Sequence, residues 1–204
     1  MMLKKTFISA CMALAMTGCA TQTTYIDAED RSTNVVAGLS YADFKGAAVS
    51  MADEIIANPL LTHKDPGSRY ILVVSDIQND TMQRIDTDQL TKSLRVKLIN
   101  AGKFLVTNGF GASRDASVGA YHESGALGDS KIVNKGSLKS GGSVMAPDFS
   151  LSGKVLQRNN SMDNGDQRIE YYFQLSLTNV SNGLSYWEGE RVVGKVADGD
   201  SVSW

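Results

Sequence analysis

The chain has 204 residues, a formal net charge of −2 and two cysteines. That length suits one domain of ordinary size. The slight acidity offers no attraction to nucleic acid or to an anionic membrane surface, and the cysteine count leaves little room for a disulfide framework or a thiolate metal centre.

The first 18 residues carry a separate signal. Lys4 and Lys5 precede an apolar run over residues 7–16, and small residues lead into Met16-Thr17-Gly18-Cys19. Such a run is too short to span a bilayer, which needs roughly 20 residues. Charge, apolar stretch and small-residue cleavage site together form a secretory signal. Its end resembles the lipobox of bacterial lipoproteins, in which the cysteine thiol accepts a diacylglyceryl group. Cys19 is therefore the expected lipidation site, and residues 1–18 the removed signal. With Cys11 removed and Cys19 acylated, no thiol remains for a disulfide, a nucleophile or a metal. Ala20 and Thr21 follow Cys19, without the Asp that retains such proteins in the inner membrane, so the expected location is the periplasmic side of the outer membrane.

Residues 19–39 read as a lipidated tether, polar and without hydrophobic period over 20–33. The 22 residues from Cys19 to Tyr41 reach about 70–80 Å fully extended, and about 25–30 Å as a flexible coil. A globular domain is expected over 40–195, followed by a tail over 196–204.

Ser40 is a natural N-cap for a helix from Tyr41 to Ala57, with Asp43 in its first turn. Phe44, Ala47, Ala48, Met51, Ala52, Ile55 and Ile56 fall on one stripe at helical spacing, and Pro59 ends the helix. The uninterrupted run 70–74, Tyr-Ile-Leu-Val-Val, predicts a strand covered on both faces. The polar stretch 75–84 predicts a loop. A second helix follows over about 87–101. Asp86 with Gln89 suggests a capping box, Leu90, Leu94, Leu98 and Ala101 line one face, and Gly102 is placed to close the helix. Residues 104–107 form the next strand, completing a βαβ-like unit. The Gly- and Ser-rich stretch 108–147 is less patterned; a helix over 112–127 and a loop over 135–144 are expected.

In the C-terminal third, Phe149, Leu151 and Val155 alternate with polar residues. Over 168–178, Ile169, Tyr171, Phe173, Leu175 and Leu177 alternate strictly with polar neighbours, so one face is buried. Asn164-Gly165 and Ser181-Asn182-Gly183 mark turns, and a last strand runs over 184–193. The predicted fold class is α+β: a mixed, mainly antiparallel sheet packed against helices, with a βαβ-like N-terminal half and three antiparallel C-terminal strands.

Catalytic and metal-binding signatures are sparse. His63 and His122 belong to no ligand-spaced cluster. There is no Gly-x-Ser-x-Gly elbow. Asp86-Thr87-Asp88 suits a helix start better than a metal pair. Gly109-Phe110-Gly111 lacks the full spacing of a nucleotide loop. Asp163-Asn164-Gly165-Asp166 lacks the rest of a calcium loop and reads as a hairpin turn. Trp187 reads as sheet packing. The chain is thus expected to be no enzyme, and to need neither cofactor nor small-molecule substrate.

Several segments together suggest a family. They are Asn79-Asp80-Thr81 after the first strand, Leu90 and its helix, Asn100-Ala101-Gly102-Lys103-Phe104, and Leu151-Ser152-Gly153-Lys154. Further on come Gln174-Leu175-Ser176-Leu177, the turn Thr178-Asn179-Val180-Ser181-Asn182-Gly183, and Tyr186-Trp187-Glu188-Gly189. From Tyr41 to Val193 the chain resembles the LpoB family of outer-membrane lipoproteins that activate bifunctional penicillin-binding proteins. The resemblance implies a non-catalytic regulator of cell-wall synthesis, docking on a regulatory domain of the synthase. Related domains in other envelope lipoproteins imply the alternative of an accessory component of an outer-membrane or curli-secretion-like assembly. Pro-rich linkers found in that family are absent from this tether; the chain has three prolines in all. For the partner-binding face, loops beyond the carboxyl ends of strands are natural candidates. The first such loop offers Asn79, Met82, Gln83 and Arg84. Asn79, with Asp80 and Thr81, is better suited to holding a turn than to making a contact.

Overall fold

The computed structural model describes residues 23–33, 35–109, 111, 114–118, 131, 134, 136 and 144–201. Cys19, His122, and most of the segments 112–127 and 135–144 lie outside these residues.

Helix α1 spans Tyr41–Ala57. Its start is a reciprocal capping box: Asp43 N–H donates to Ser40 Oγ at 3.3 Å, and Ser40 N–H donates to Asp43 Oδ2 at 2.9 Å. These bonds satisfy donors that a helix start leaves orphaned. The predicted stripe is buried from Phe44 to Ile55, while Ile56 is only half-buried. At the other end Asn58 serves twice, bonding back into α1 and accepting from Leu60 N–H at 3.0 Å to start a short 3-10 turn, Pro59–Leu61.

Strand β1 covers Tyr70–Asp80, so most of the stretch expected to be a loop is strand. A β-bulge explains the difference. Val74 pairs with Leu151 and Ile77 with Gly153, so β1 spends three residues against two on its neighbour. The extra residue shifts the alternation by one. Leu72, Val74 and Ile77 consequently share the core face, although their spacing breaks a period of two. The strand that faces the bulge is itself packed tightly against its other neighbour. A Cβ on Gly153 would lie 2.1 Å from the Gln174 carbonyl oxygen, and only glycine fits.

Helix α2 spans Asp88–Asn100 and buries Leu90, Thr91, Leu94 and Leu98. The expected Asp86–Gln89 capping box is not formed. Thr87 already has helical dihedrals and makes no side-chain cap bond, while Asp86 accepts from Asp88 N–H at 2.9 Å in a local turn. The turn leaves Asp86 one residue too early to cap. Gly102, with φ +73°, closes the helix, its N–H donating to Ile99 at 3.0 Å.

Strand β2, Phe104–Val106, pairs parallel with β1 and completes the βαβ unit. Strands β3 (Phe149–Ser161), β4 (Gln167–Asn179) and β5 (Ser185–Ala197) follow as an antiparallel meander. β3 lies parallel to β1, giving the sheet order β2-β1-β3-β4-β5. The fold is the α+β class expected, with one mixed sheet and both helices on the same core. Along β4 the alternation is complete: Ile169, Tyr171, Phe173, Leu175 and Leu177 are buried. Phe44 of α1 meets Phe173 edge-on at 5.7 Å, and Phe149 lies between Tyr70 and Tyr186 at 5.0 and 5.2 Å. The turns fall at Asn164-Gly165 and at 181–183, the second built on Asn179, whose side chain accepts from Ser181 and Asn182.

Candidate docking surface

One end of the sheet gathers the four candidate residues and the segment before α1. There the carboxyl ends of β1, β3 and β5 meet the start of β4. The loop after β1 closes over this end, and the segment before α1 crosses it.

The loop is held from within. Asn79 Oδ1 accepts from Thr81 N–H at 3.1 Å and from its hydroxyl at 2.7 Å, while Asn79 Nδ2 donates to the Gln83 carbonyl at 2.8 Å. Asn79 therefore holds the turn. Gln83 faces inward, where its amide donates to the Tyr171 hydroxyl. The remaining two candidates point outward. Met82 is 61% exposed. It is seated on β3: its N–H donates to Gln157 Oε1 at 3.2 Å, and its sulfur lies 3.8 Å from Asn159 Nδ2. Arg84 is exposed and has no hydrogen bond or ion pair to a described residue. The loop thus offers a fixed thioether and a guanidinium on a braced backbone. Adaptable Met and planar, multidentate Arg suit protein recognition.

Beside the loop, the segment leading into α1 is clamped to the domain. The Tyr171 hydroxyl that receives Gln83 donates in turn to the Ala37 carbonyl at 3.2 Å. Lys195, on β5, donates to the carbonyls of Val36 and Gly38 and pairs with Asp43 at 2.7 Å. The Lys195 and Asp43 side chains are 9% and 7% exposed. Burial alone raises the Asp43 carboxyl. The Lys195 hydrogen bond and the Ser40 donors outweigh burial, and the carboxyl sits below its ordinary value. Tyr171 is pushed upward, mainly by burial, in spite of the Gln83 bond.

This clamp was not foreseen from sequence, although a signal was present. Lys195 shares the parity of Trp187 and Val193, both packed on the core, so a lysine stands in an inward register. Arg191 shares it too, and bonds Ser50 at 2.8 Å and Glu54 of α1.

The other sequence candidates have structural roles. His63 Nδ1 accepts from Asp65 N–H at 3.0 Å, and its ring lies 4.8 Å from Tyr70. Asp166 N–H bonds Asn164 within the β3–β4 turn, as a hairpin requires. Trp187 packs against the core and covers Gly189. Among the described residues no group of His, Cys, Asp and Glu is arranged to hold a metal, and no helix is long and apolar enough to cross a membrane.

A family model described as the peptidoglycan-synthase activator LpoB matches residues 43–193. Among solved structures, the LpoB C-terminal domain from Salmonella enterica is 20% identical, covering 74% of this chain and 98% of that one, with a TM-score of 0.38. The LpoB C-terminal domain from Escherichia coli is 22% identical, with coverages of 75% and 99% and a TM-score of 0.39. An NMR structure of E. coli LpoB is 19% identical, with coverages of 87% and 81% and a TM-score of 0.37. No curated protein matches the chain in sequence.

Proposed function

The chain belongs to the LpoB family of peptidoglycan-synthase activators, and from that membership we propose that it is an outer-membrane lipoprotein that binds and activates a bifunctional penicillin-binding protein. The observation that carries the proposal is the extent of the family match, from Asp43 in the first turn of α1 to Val193 in β5. The role is regulatory, with no catalytic step assigned to this chain. Activation then means binding the active conformation of the synthase more tightly than the inactive one; each tenfold preference is worth about 1.4 kcal/mol.

In this proposal Cys19 carries the lipid anchor and the sheet end meets the regulatory domain of the synthase. Met82 and Arg84 make the contact, and Asn79 and Gln83 fix the loop beneath them. The test is reconstitution of the full chain with a bifunctional penicillin-binding protein of the same cell, following glycan polymerisation and peptide cross-linking. Both rates should rise with added chain. Met82→Ala and Arg84→Ala should weaken binding, Arg84→Ala by about 2 kcal/mol as at other arginine hot spots, with little change in melting temperature. Asn79→Ala should lower the melting temperature first. A synthase whose rates ignore the chain refutes the function. Rates that rise equally with the wild type and both loop variants refute the docking face alone.

A further inference from the structure

The outer surfaces of the two helices form a valley. Tyr41, Lys45 and Val49 follow one another at four-residue spacing along α1, and Lys92, Val96 and Asn100 do the same along α2, with Ser93 and Lys97 beside them. The rows enclose a cleft of about 340 Å³. Its floor is apolar: Val49 is half-buried, and Tyr41 and Val96 are 42% and 46% exposed. Three ammonium groups line it and no carboxylate does. Lys45 turns to Glu29 and Lys97 to Asp53 at 3.0 Å, but every member of these pairs is more than a third exposed. Solvent-exposed pairs of this kind exchange partners at little cost. Lys92 is exposed and has no ion pair among the described residues.

We propose that this valley is a second docking surface, distinct from the sheet end, and that it takes an acidic amphipathic helix of another protein. Two side-chain ridges with a trough between them offer a shape into which a third helix can pack. Eight residues of helix span about 12 Å, so the rows match some two turns of a ligand. An apolar stripe on that helix would cover Val49 and Val96, while carboxylates flanking the stripe would meet Lys45, Lys92 and Lys97, the arrangement of helix-in-groove recognition. A lipid surface fits less well. The trough is concave, its apolar floor does not project, and the chain as a whole is acidic.

The experiment uses the full chain in nonionic detergent and a labelled helical peptide with leucine on one face flanked by glutamate. A second peptide has lysine in place of glutamate. Anisotropy should report saturable binding of the glutamate peptide, weakened by added salt, and none of the lysine peptide. The double variant Lys92→Glu/Lys97→Glu should bind about tenfold more weakly, and Val96→Asp should also lose affinity. All these positions are exposed or half-buried, and a thermal melt checks that the variants remain folded. Equal binding of both peptides, or no loss in the variants, overturns the proposal. So does a lipid outcome: vesicles of phosphatidylglycerol and phosphatidylethanolamine retaining the wild type better than the double variant, with no peptide bound. The acyl anchor is common to both chains, so that difference would read the valley alone. None of these readings depends on a synthase.

Discussion

Replacing Lys195 by methionine keeps the aliphatic stem and removes the ammonium. In the folded chain that ammonium bonds three oxygens, the carbonyls of Val36 and Gly38 and the carboxylate of Asp43. Both partners of the ion pair are almost fully buried. Its removal strands a buried carboxylate, and removal of one member of a buried pair typically costs about 3–5 kcal/mol. For a chain of this size each kcal/mol lowers the melting temperature by about 2–4 °C, so a fall of roughly 10 °C is expected. The pH dependence supplies a second reading. The Asp43 carboxyl is held below its ordinary value in the wild type, chiefly by Lys195 and Ser40 acting against burial. It therefore adds stability above its unfolded value of about 3.9, and that stability is lost as pH falls through the lower folded value. Without Lys195, only Ser40 opposes burial, and the protonated acid is favoured more than in the wild type. The gap between wild type and variant should be widest near neutrality and should narrow as pH falls toward and through the lowered folded value of Asp43. Adding Asp43→Asn to Lys195→Met should recover most of the loss. The Ser40 N–H and hydroxyl and the ammonium all reach the same oxygen, Oδ2, where an amide oxygen still accepts from Ser40. Melts from pH 3 to 8 on Lys195→Met, Asp43→Asn and the double variant provide the test. A fall below about 1 kcal/mol at neutral pH, or a double variant as unstable as the two single losses summed, refutes the reasoning.

Three further outcomes are expected. Cys19→Ser should abolish acylation, because a hydroxyl is a far poorer nucleophile than a thiolate; metabolic labelling with a palmitate analogue that still marks the variant would disprove the anchor. Gly153→Ala should destabilise by about 1–3 kcal/mol through forced backbone movement, since its Cβ would meet the Gln174 carbonyl at 2.1 Å. Gly194→Ala, whose Cβ has nothing within 4 Å, should be neutral or stabilising by about 0.5–1 kcal/mol. Equal melting shifts for the two glycines would contradict the packing at the bulge.

The elements that sequence made legible are those where one face alone decides the pattern. α1 was readable to the residue because the stripe from Phe44 to Ile55 is bounded by a polar cap and a proline. β4 was readable because both its neighbours pair with it over nearly its whole length, so its alternation is unbroken. β1 was legible only over 70–74, because one extra residue between Val74 and Ile77 erases the period that would identify a strand beyond it. The loop after β1 was only half legible. Asn79 and Gln83 carry the same polar groups as a contact residue, and only the positions of Thr81 and Tyr171 show that those groups are spent internally. The clamp was the least legible feature: Lys195 and Asp43 lie about 150 residues apart, and only the register of β5 against α1 brings them together.

That register also bears on how the molecule behaves when crowded with copies of itself. β5 is an outer strand of the sheet, 13 residues long, and the opposite edge, β2, has only three. A long outer strand invites a strand from a neighbour to zip onto it. Here its inward-facing side carries two cations, Arg191 and Lys195, each tied to α1. To slide or flatten for pairing, the strand would have to break those ties and dry out two charges. At high local concentration, copies of the chain would present these outer strands to one another. The cations that fasten α1 to the sheet therefore also act as gatekeepers, keeping such encounters from growing into shared sheets.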